Sequence, residues 1–252
     1  MSYISDRDFL IEVAKGNVAG HSLMQKFGEN PDVDTGTVPE DMWDYGGVWV
    51  APTTSRVHAL VSSSASDSSG GGGAETIIVE GLDASYIFQS ETVAMNGTTP
   101  VNTVNSYTMI HRMYVEVDAA NALNVGNITA TAAVDGTVTA HIAAGNGQTL
   151  MAIYQIPAGK TGYLLKLYTM NKRAAAAVGN ADMALLVKPE DTGPFVTKFV
   201  WGIMGAGTSH IDHDFKAIIG YPEKSVIKIS AENVSANNMD VAAGFDLLLV
   251  DD

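Results

Sequence analysis

From Val48 to the end of the chain, apolar and polar positions alternate in short runs separated by clusters of Gly, Asn, Asp and Ser. A period of two is what a half-buried strand needs, so this part of the chain predicts β structure. The candidate strands are 48–51, 56–62, 75–80, 86–94, 106–117, 127–133, 137–143, 149–156, 163–170, 183–188, 195–203, 209–217, 225–232 and 241–250. Asn96-Gly97, Asp135-Gly136 and Asn146-Gly147 are hairpin-type turn pairs. Ser62–Gly73, SSSASDSSGGGG, reads as a flexible exposed loop that tolerates insertion.

Before Val48 the pattern changes. Phe9, Leu10 and Val13 share one face at helical spacing. Ser5 is the expected N-cap, Asp6 and Asp8 suit the positive first turn, and Gly16 follows Lys15 as a terminator. Three turns are too short to stand alone, so this face should dock on something. Residues 17–47 show no sustained period and contain five glycines and two prolines. They read as an extended arm whose spaced aromatics Phe27, Trp43 and Tyr45 press on a neighbouring subunit. The alternative is an arm folded over the chain's own β core. The candidate assembly contact is therefore Phe9, Leu10, Val13, Phe27, Trp43 and Tyr45.

Two stretches echo each other. Trp49-Val-Ala-Pro52 and Arg56-Val-His-Ala-Leu60 resemble Tyr154-Gln-Ile-Pro157 and Leu164-Leu-Lys-Leu-Tyr168. Further on, Ile77-Ile-Val79 resembles Leu185-Leu-Val187. Val57 to Leu165, Val79 to Val187 and Asp83 to Asp191 share one offset, which keeps inward and outward faces in step. The expected fold is all-β: an N-terminal arm with one short helix (1–47), then two tandem β-sandwich, jelly-roll-like modules (48–147 and 148–252).

The balance of charge narrows the partners. Lys and Arg total 14 against 28 Asp and Glu, a formal net charge of -14. Phosphate neutralisation needs clustered cations, so neither nucleic acid nor an anionic membrane surface is an expected partner. No apolar run is long enough to span a bilayer, and the first residues lack a basic-then-apolar secretory pattern. The absence of cysteine removes thiol nucleophiles, disulfides and cysteine-ligated metals.

Three motifs carry a suggestion of chemistry. Ala158-Gly159-Lys160-Thr161 has half of a phosphate-binding loop, but position 154 is Tyr rather than Gly, and a strand follows instead of a helix. Asp32-Val-Asp34-Thr-Gly36 opens like a calcium loop, yet the sixth and twelfth positions are Thr37 and Trp43. His210, Asp212 and Asp214 would share one face of a strand, with Ile211 and His213 on the other. One strand offers too few ligands for a metal, and a polar outer face is the simpler reading. No catalytic residue, cofactor or metal is expected.

The most distinctive residues lie near the start: Glu12-Val-Ala-Lys-Gly16-Asn-Val-Ala-Gly20-His-Ser22, Lys26-Phe27-Gly28, Asn30, Asp32, Asp34 and Asp41-Met-Trp43-Asp44. With Gly81-Leu-Asp83, Gly145-Asn-Gly-Gln148-Thr149, Ile156-Pro-Ala-Gly-Lys-Thr-Gly-Tyr163 and Ala243-Gly-Phe-Asp-Leu-Leu-Leu-Val-Asp251, the chain resembles a family of tailed-bacteriophage virion structural proteins, common in phages of aquatic bacteria. The resemblance implies a virion component made in the host cytoplasm and no catalytic residues. It leads to a non-enzymatic structural protein, a capsid-associated decoration or cement subunit gripping neighbours by its N-terminal arm. Its partners would be the major capsid protein or other virion subunits, and further copies in a homo-oligomer. The competing roles are a neck, tail or baseplate component and a carbohydrate-binding module for host attachment.

Overall fold

The computed structural model describes residues 6–116, 123–172, 179–191, 193–205 and 209–252. One α-helix, α1 (Asp6–Ala14), precedes strands β1 (His21–Val33), β2 (Glu40–Asp41), β3 (His58–Ser62), β4 (Thr76–Leu82) and β5 (Phe88–Ala94). Then come β6 (Val101–Asn102), β7 (Met109–Val115), β8 (Ile128–Ala132), β9 (Val138–Ile142) and β10 (Ile153–Gln155). The rest are β11 (Lys160–Asn171), β12 (Asn180–Lys188), β13 (Val196–Met204), β14 (His210–Asp214), β15 (Gly220–Tyr221), β16 (Val226–Ser235) and β17 (Met239–Asp251). The chain is nearly all β with one short helix, as the alternation indicated. Gly16, with φ of +75°, ends α1 in a conformation that glycine adopts without strain. Ser5 lies outside the described residues.

The strands form small antiparallel sheets. Two run β1-β17-β11-β14, with β15 beside β11, and β10-β16-β12-β13, with β2 beside β16. The other two run β6-β3-β8-β9 and β5-β4-β7. In chain order β3, β4, β5, β6, β7 and β8 occupy the same places in the second pair of sheets as β11, β12, β13, β14, β16 and β17 do in the first. The match reaches the side chains: Ile77 and Val79 of β4, and Leu185 and Val187 of β12, are all buried at the centre of their sheets. One place is filled differently. β9, which follows β8 directly, lies beside β8, whereas the N-terminal strand β1 takes the corresponding position beside β17.

Each pair of sheets shares one apolar core. Leu60, Ile77, Val79, Ile110, Met113, Ile128 and Ile142 belong to one. Leu167, Leu185, Val187, Ile229, Phe245 and Leu247 belong to the other, which also takes in Val33 and Met42 from the N-terminal segment. A third cluster, Trp43, Trp49, Leu82, Met109, Met151, Ile153 and Val226, joins the two halves. Trp43 and Trp49 fix it by donating their indole N–H groups to the carbonyls of Gly47 (3.0 Å) and Thr139 (2.9 Å).

The N-terminal segment departs from the expected irregular arm. Eleven residues of β1, from His21 to Val33, pair with β17. The pattern hid this strand because its inward face is polar: Lys26 and Asn30 point into the molecule, where they meet the His111 carbonyl and Glu40. Its apolar residues Leu23 and Phe27 point outward and are 40% and 37% exposed. Residues 48–51, expected as a strand, are held instead by the Trp49 N–H on Asp41 (2.8 Å).

Ser62–Gly73 is also not the loose loop that its composition indicated. Asp67 is fully buried at its centre and accepts hydrogen bonds from Ser62 Oγ and from the N–H groups of Ala74, Val125 and Gly126. Burial works to raise the Asp67 carboxyl, but these four donors outweigh it and hold the carboxyl below its ordinary value. Gly73 has to be glycine, since a Cβ there would stand 2.3 Å from Asp67 Oδ1. Asp67→Ala strands the buried N–H groups of Ala74 and Gly126 and the half-buried one of Val125, and should cost about 3 kcal/mol. Thermal denaturation should show a clear fall in Tm; an unchanged midpoint would return the loop to the flexible class.

Candidate assembly surface

The six residues singled out in the sequence do not form one surface. Val13 is 3% exposed and Trp43 2%, so both are spent inside this chain. Tyr45 is half exposed but lies against Trp43 and His141, at 5.1 and 5.3 Å between ring centroids. Phe9, Leu10 and Phe27 do share a region. Phe9 meets His21 edge-on at 5.8 Å, and Leu10 lines a shallow cavity with Leu23, Gln25 and Asp246.

That region is the outward face of the β1-β17-β11-β14 sheet. Because the sheet is antiparallel, outward residues stand in rows across it, with a register shift on β11 between Leu164 and Lys166. Leu23 is beside Leu248 and Tyr163; Gln25 beside Asp246, Lys166 and Asp214. Phe27 is beside Gly244, Tyr168 and Asp212; Glu29 beside Ala242, Met170 and His210. Gly244 makes the third row possible: a Cβ at this position would come within 2.4 Å of the Tyr168 ring, which lies flat across the sheet. Phe27, Tyr168, Met170, Leu150 and Ala242 then line a groove of about 190 Å³.

Charge borders this apolar strip. Lys166 pairs with Asp212 at 2.7 Å, and Lys172 with Glu29. The hydrogen bond to Asp212 is the main reason that the Lys166 ammonium is held above its ordinary value. Burial pushes the Asp246 carboxyl up, with Asp212 and Asp214 adding to it while Gln25 and Lys166 oppose. The Tyr168 hydroxyl is pushed up to about 12 by burial and then by Asp246, so it remains a neutral donor. The face can offer apolar contact, acceptors for basic groups and phenolic hydroxyls.

The other motifs are absorbed by the fold. Gly159, with φ of +71°, turns the chain between β10 and β11, and Lys160 and Thr161 bind Asp251 and Asp252. Asp32 and Asp34 both accept from the Asn238 amide, at 3.0 and 2.8 Å. His210, Asp212 and Asp214 do share the outward face of β14, while His213 turns inward and stacks on Phe199 at 4.8 Å. Among the described residues, no three His, Asp or Glu side chains converge to hold a metal.

Sequence reasoning missed two buried bases at the junction of the halves. Lys26 Nζ donates to the His111 carbonyl, and the His111 ring stacks on Tyr154 at 4.3 Å. Burial, reinforced by Arg112, lowers the Lys26 amine to about 7, with Glu80 opposing. Burial, then Lys26, lowers the His111 imidazole to about 3. A lysine at an even position between outward Gln25 and Phe27 was the available signal, but only once β1 is known to be a strand.

The chain matches no family model and no curated protein. Among solved structures, it aligns with one of the infectious bursal disease virus Gx strain at 8% identity and a TM-score of 0.26, covering 91% of this chain and 72% of that one. It also aligns with a VP2 subviral particle of infectious bursal disease virus at 10% identity and a TM-score of 0.21, covering 98% and 74%. TM-scores this low establish neither a shared fold nor a shared role. Among the described residues, no helix is long and apolar enough to cross a membrane.

Proposed function

We propose that this chain is a non-enzymatic structural subunit of a tailed-phage virion, a decoration or cement protein built from two tandem β-sandwich modules. The observation that carries the reading is the outward face of the β1-β17-β11-β14 sheet. It sets Leu23, Phe27 and Met170, each about two-fifths exposed, on a broad antiparallel sheet. Such a face suits lateral contact with another subunit, where aromatic and Met anchors carry most of the binding energy. The third cluster supports the same role, since it welds the two halves into a block that can transmit load. The resemblance of the N-terminal residues to phage virion proteins supports other virion subunits as the partners.

Mass spectrometry of purified particles of the encoding phage should find the chain in many copies relative to the major capsid protein. Phe27→Asp and Met170→Asp should leave the purified protein folded, because both side chains are already partly solvated, yet sharply reduce its incorporation. Absence from the particles would overturn the proposal. A fixed count of six or twelve would move the chain to a neck or tail ring.

A further inference from the structure

Among the described residues, β13 closes one side of its sheet and pairs with β12 alone. The direction of its backbone groups can be read at its end. Gly205 donates its N–H to Gly179 across the sheet, whereas Asn180, opposite Met204, turns its N–H the other way to Ser235 Oγ at 3.2 Å. The N–H and C=O of one strand residue point to the same side, and successive residues alternate. Phe199, Trp201 and Ile203 therefore bond to β12, and Val200, Gly202 and Met204 present their backbone groups to the open edge. Met204 N–H reaches Ser209 Oγ at 3.4 Å; among the described residues, nothing pairs with Val200 or Gly202. Val200 and Met204 are 65% and 63% exposed.

Open edges are normally blunted by charge, bulges, brevity or a cover. β14 carries Asp212 and Asp214, and β5 carries Glu91, which is tied to the N–H groups of Val104 and Asn105. The first half of β13 is guarded in the same manner, since the register shifts at Lys198, between Thr197 and Phe199. The second half, Phe-Val-Trp-Gly-Ile-Met from 199 to 204, has no charge, no proline and no bulge.

We propose that residues 199–204 join two copies of this chain edge to edge, antiparallel, into one continuous sheet. The segment is complementary to itself about Gly202. In that register Val200 lies opposite the partner subunit's Met204, Gly202 opposite the partner subunit's Gly202, and Met204 opposite the partner subunit's Val200. Val200 and Gly202 have no partner for their backbone groups among the described residues, and Met204 N–H would exchange its long contact with Ser209 Oγ for the partner subunit's Val200 carbonyl, so each opposed pair exchanges both N–H···O=C bonds. The same register covers the exposed Val and Met side chains with each other. Gly202 leaves the two-fold axis open, since a Cβ there would meet nothing closer than the Ala181 carbonyl at 3.9 Å. Centring the pair on Val200 instead would set Gly202 against the bulged Lys198. The contact is isologous, so it stops at a dimer and does not grow into a filament. It stands independently of any place in a virion.

Sedimentation of the full chain from about 1 µM to 1 mM tests this. The wild type should pass from one to two chains with rising concentration. Gly202→Pro removes an N–H that the monomer's own sheet does not use, and Val200→Lys with Met204→Lys opposes like charges across the axis. Each should weaken association by about tenfold or more with far-UV circular dichroism unchanged. If the proline variant misfolds, the lysine pair decides. A wild type that stays monomeric throughout, or folded variants that associate as tightly as wild type, would overturn the proposal.

Discussion

Deletion of residues 1–46 is expected to leave no soluble, cooperatively folding protein. The deletion removes β1 and with it every pairing along one side of β17. It takes Val33 and Met42 from one core and Trp43 from the cluster that joins the halves. It also takes Asp41, which is fully buried and accepts from Lys228 Nζ at 2.7 Å and from Ser230 Oγ. Lys228 would be left as a buried ammonium without its carboxylate, and breaking such a pair from one side costs about 3–5 kcal/mol. Burying a large side chain contributes about 1.5–3 kcal/mol. Together these losses reach the whole stability of an ordinary domain, about 5–15 kcal/mol. Solubility and a thermal melt of the truncated chain check this. A soluble product melting where the full chain melts would show that the segment is a detachable arm after all.

Loss of stability on mild acidification is the second large effect expected. His58 and His111 are buried as neutral imidazoles. Burial lowers His58 to about 4, against opposition from the Arg56 carbonyl and Asp135, and lowers His111 to about 3. In the unfolded chain both return to about 6.5. Between those values the unfolded state binds protons that the folded state refuses. The stability that these two histidines contribute is therefore complete above about pH 6.5 and falls as the pH drops toward 4 and 3. At full extent the cost is about 3 kcal/mol from His58 and about 5 kcal/mol from His111. Lys26 acts in a different window: its lowered amine takes stability away as the pH falls from about 10.5 to 7 and adds no further change below that. Tm measured from pH 8 to pH 4 should fall steeply, and His111→Asn should flatten the curve between pH 6 and 4. Parallel curves for variant and wild type would exclude His111 as a cause.

Most strands were legible because their inward residues are apolar and their outward residues polar. β4 and β12 are the clearest, with Ile77, Val79, Leu185 and Val187 carrying the shared offset. β1 was not legible for the opposite reason. Its inward Lys26, Gly28 and Asn30 face the junction, where a polar backbone and Glu40 wait for them, so local alternation points the wrong way. The same inversion made Phe27 conspicuous as an exposed aromatic while concealing the strand that presents it. Trp43 misled in the other direction, since a lone aromatic in an irregular stretch carries no sign of which core it enters. The Ser- and Gly-rich loop hid its order because a single aspartate organises it, and no composition rule weighs one residue so heavily.

The pairing of the first strand with the last also fixes the order in which the protein can be completed during synthesis. Residues 56 to 149 hold sheets whose partners all lie within that span, so this half can form while the ribosome is still at work. His21 must wait for Val250 and Lys26 for Phe245. The nascent chain therefore carries Leu23, Phe27 and an unpaired strand until β17 has been made, and joining the two closes a loop that spans most of the described chain.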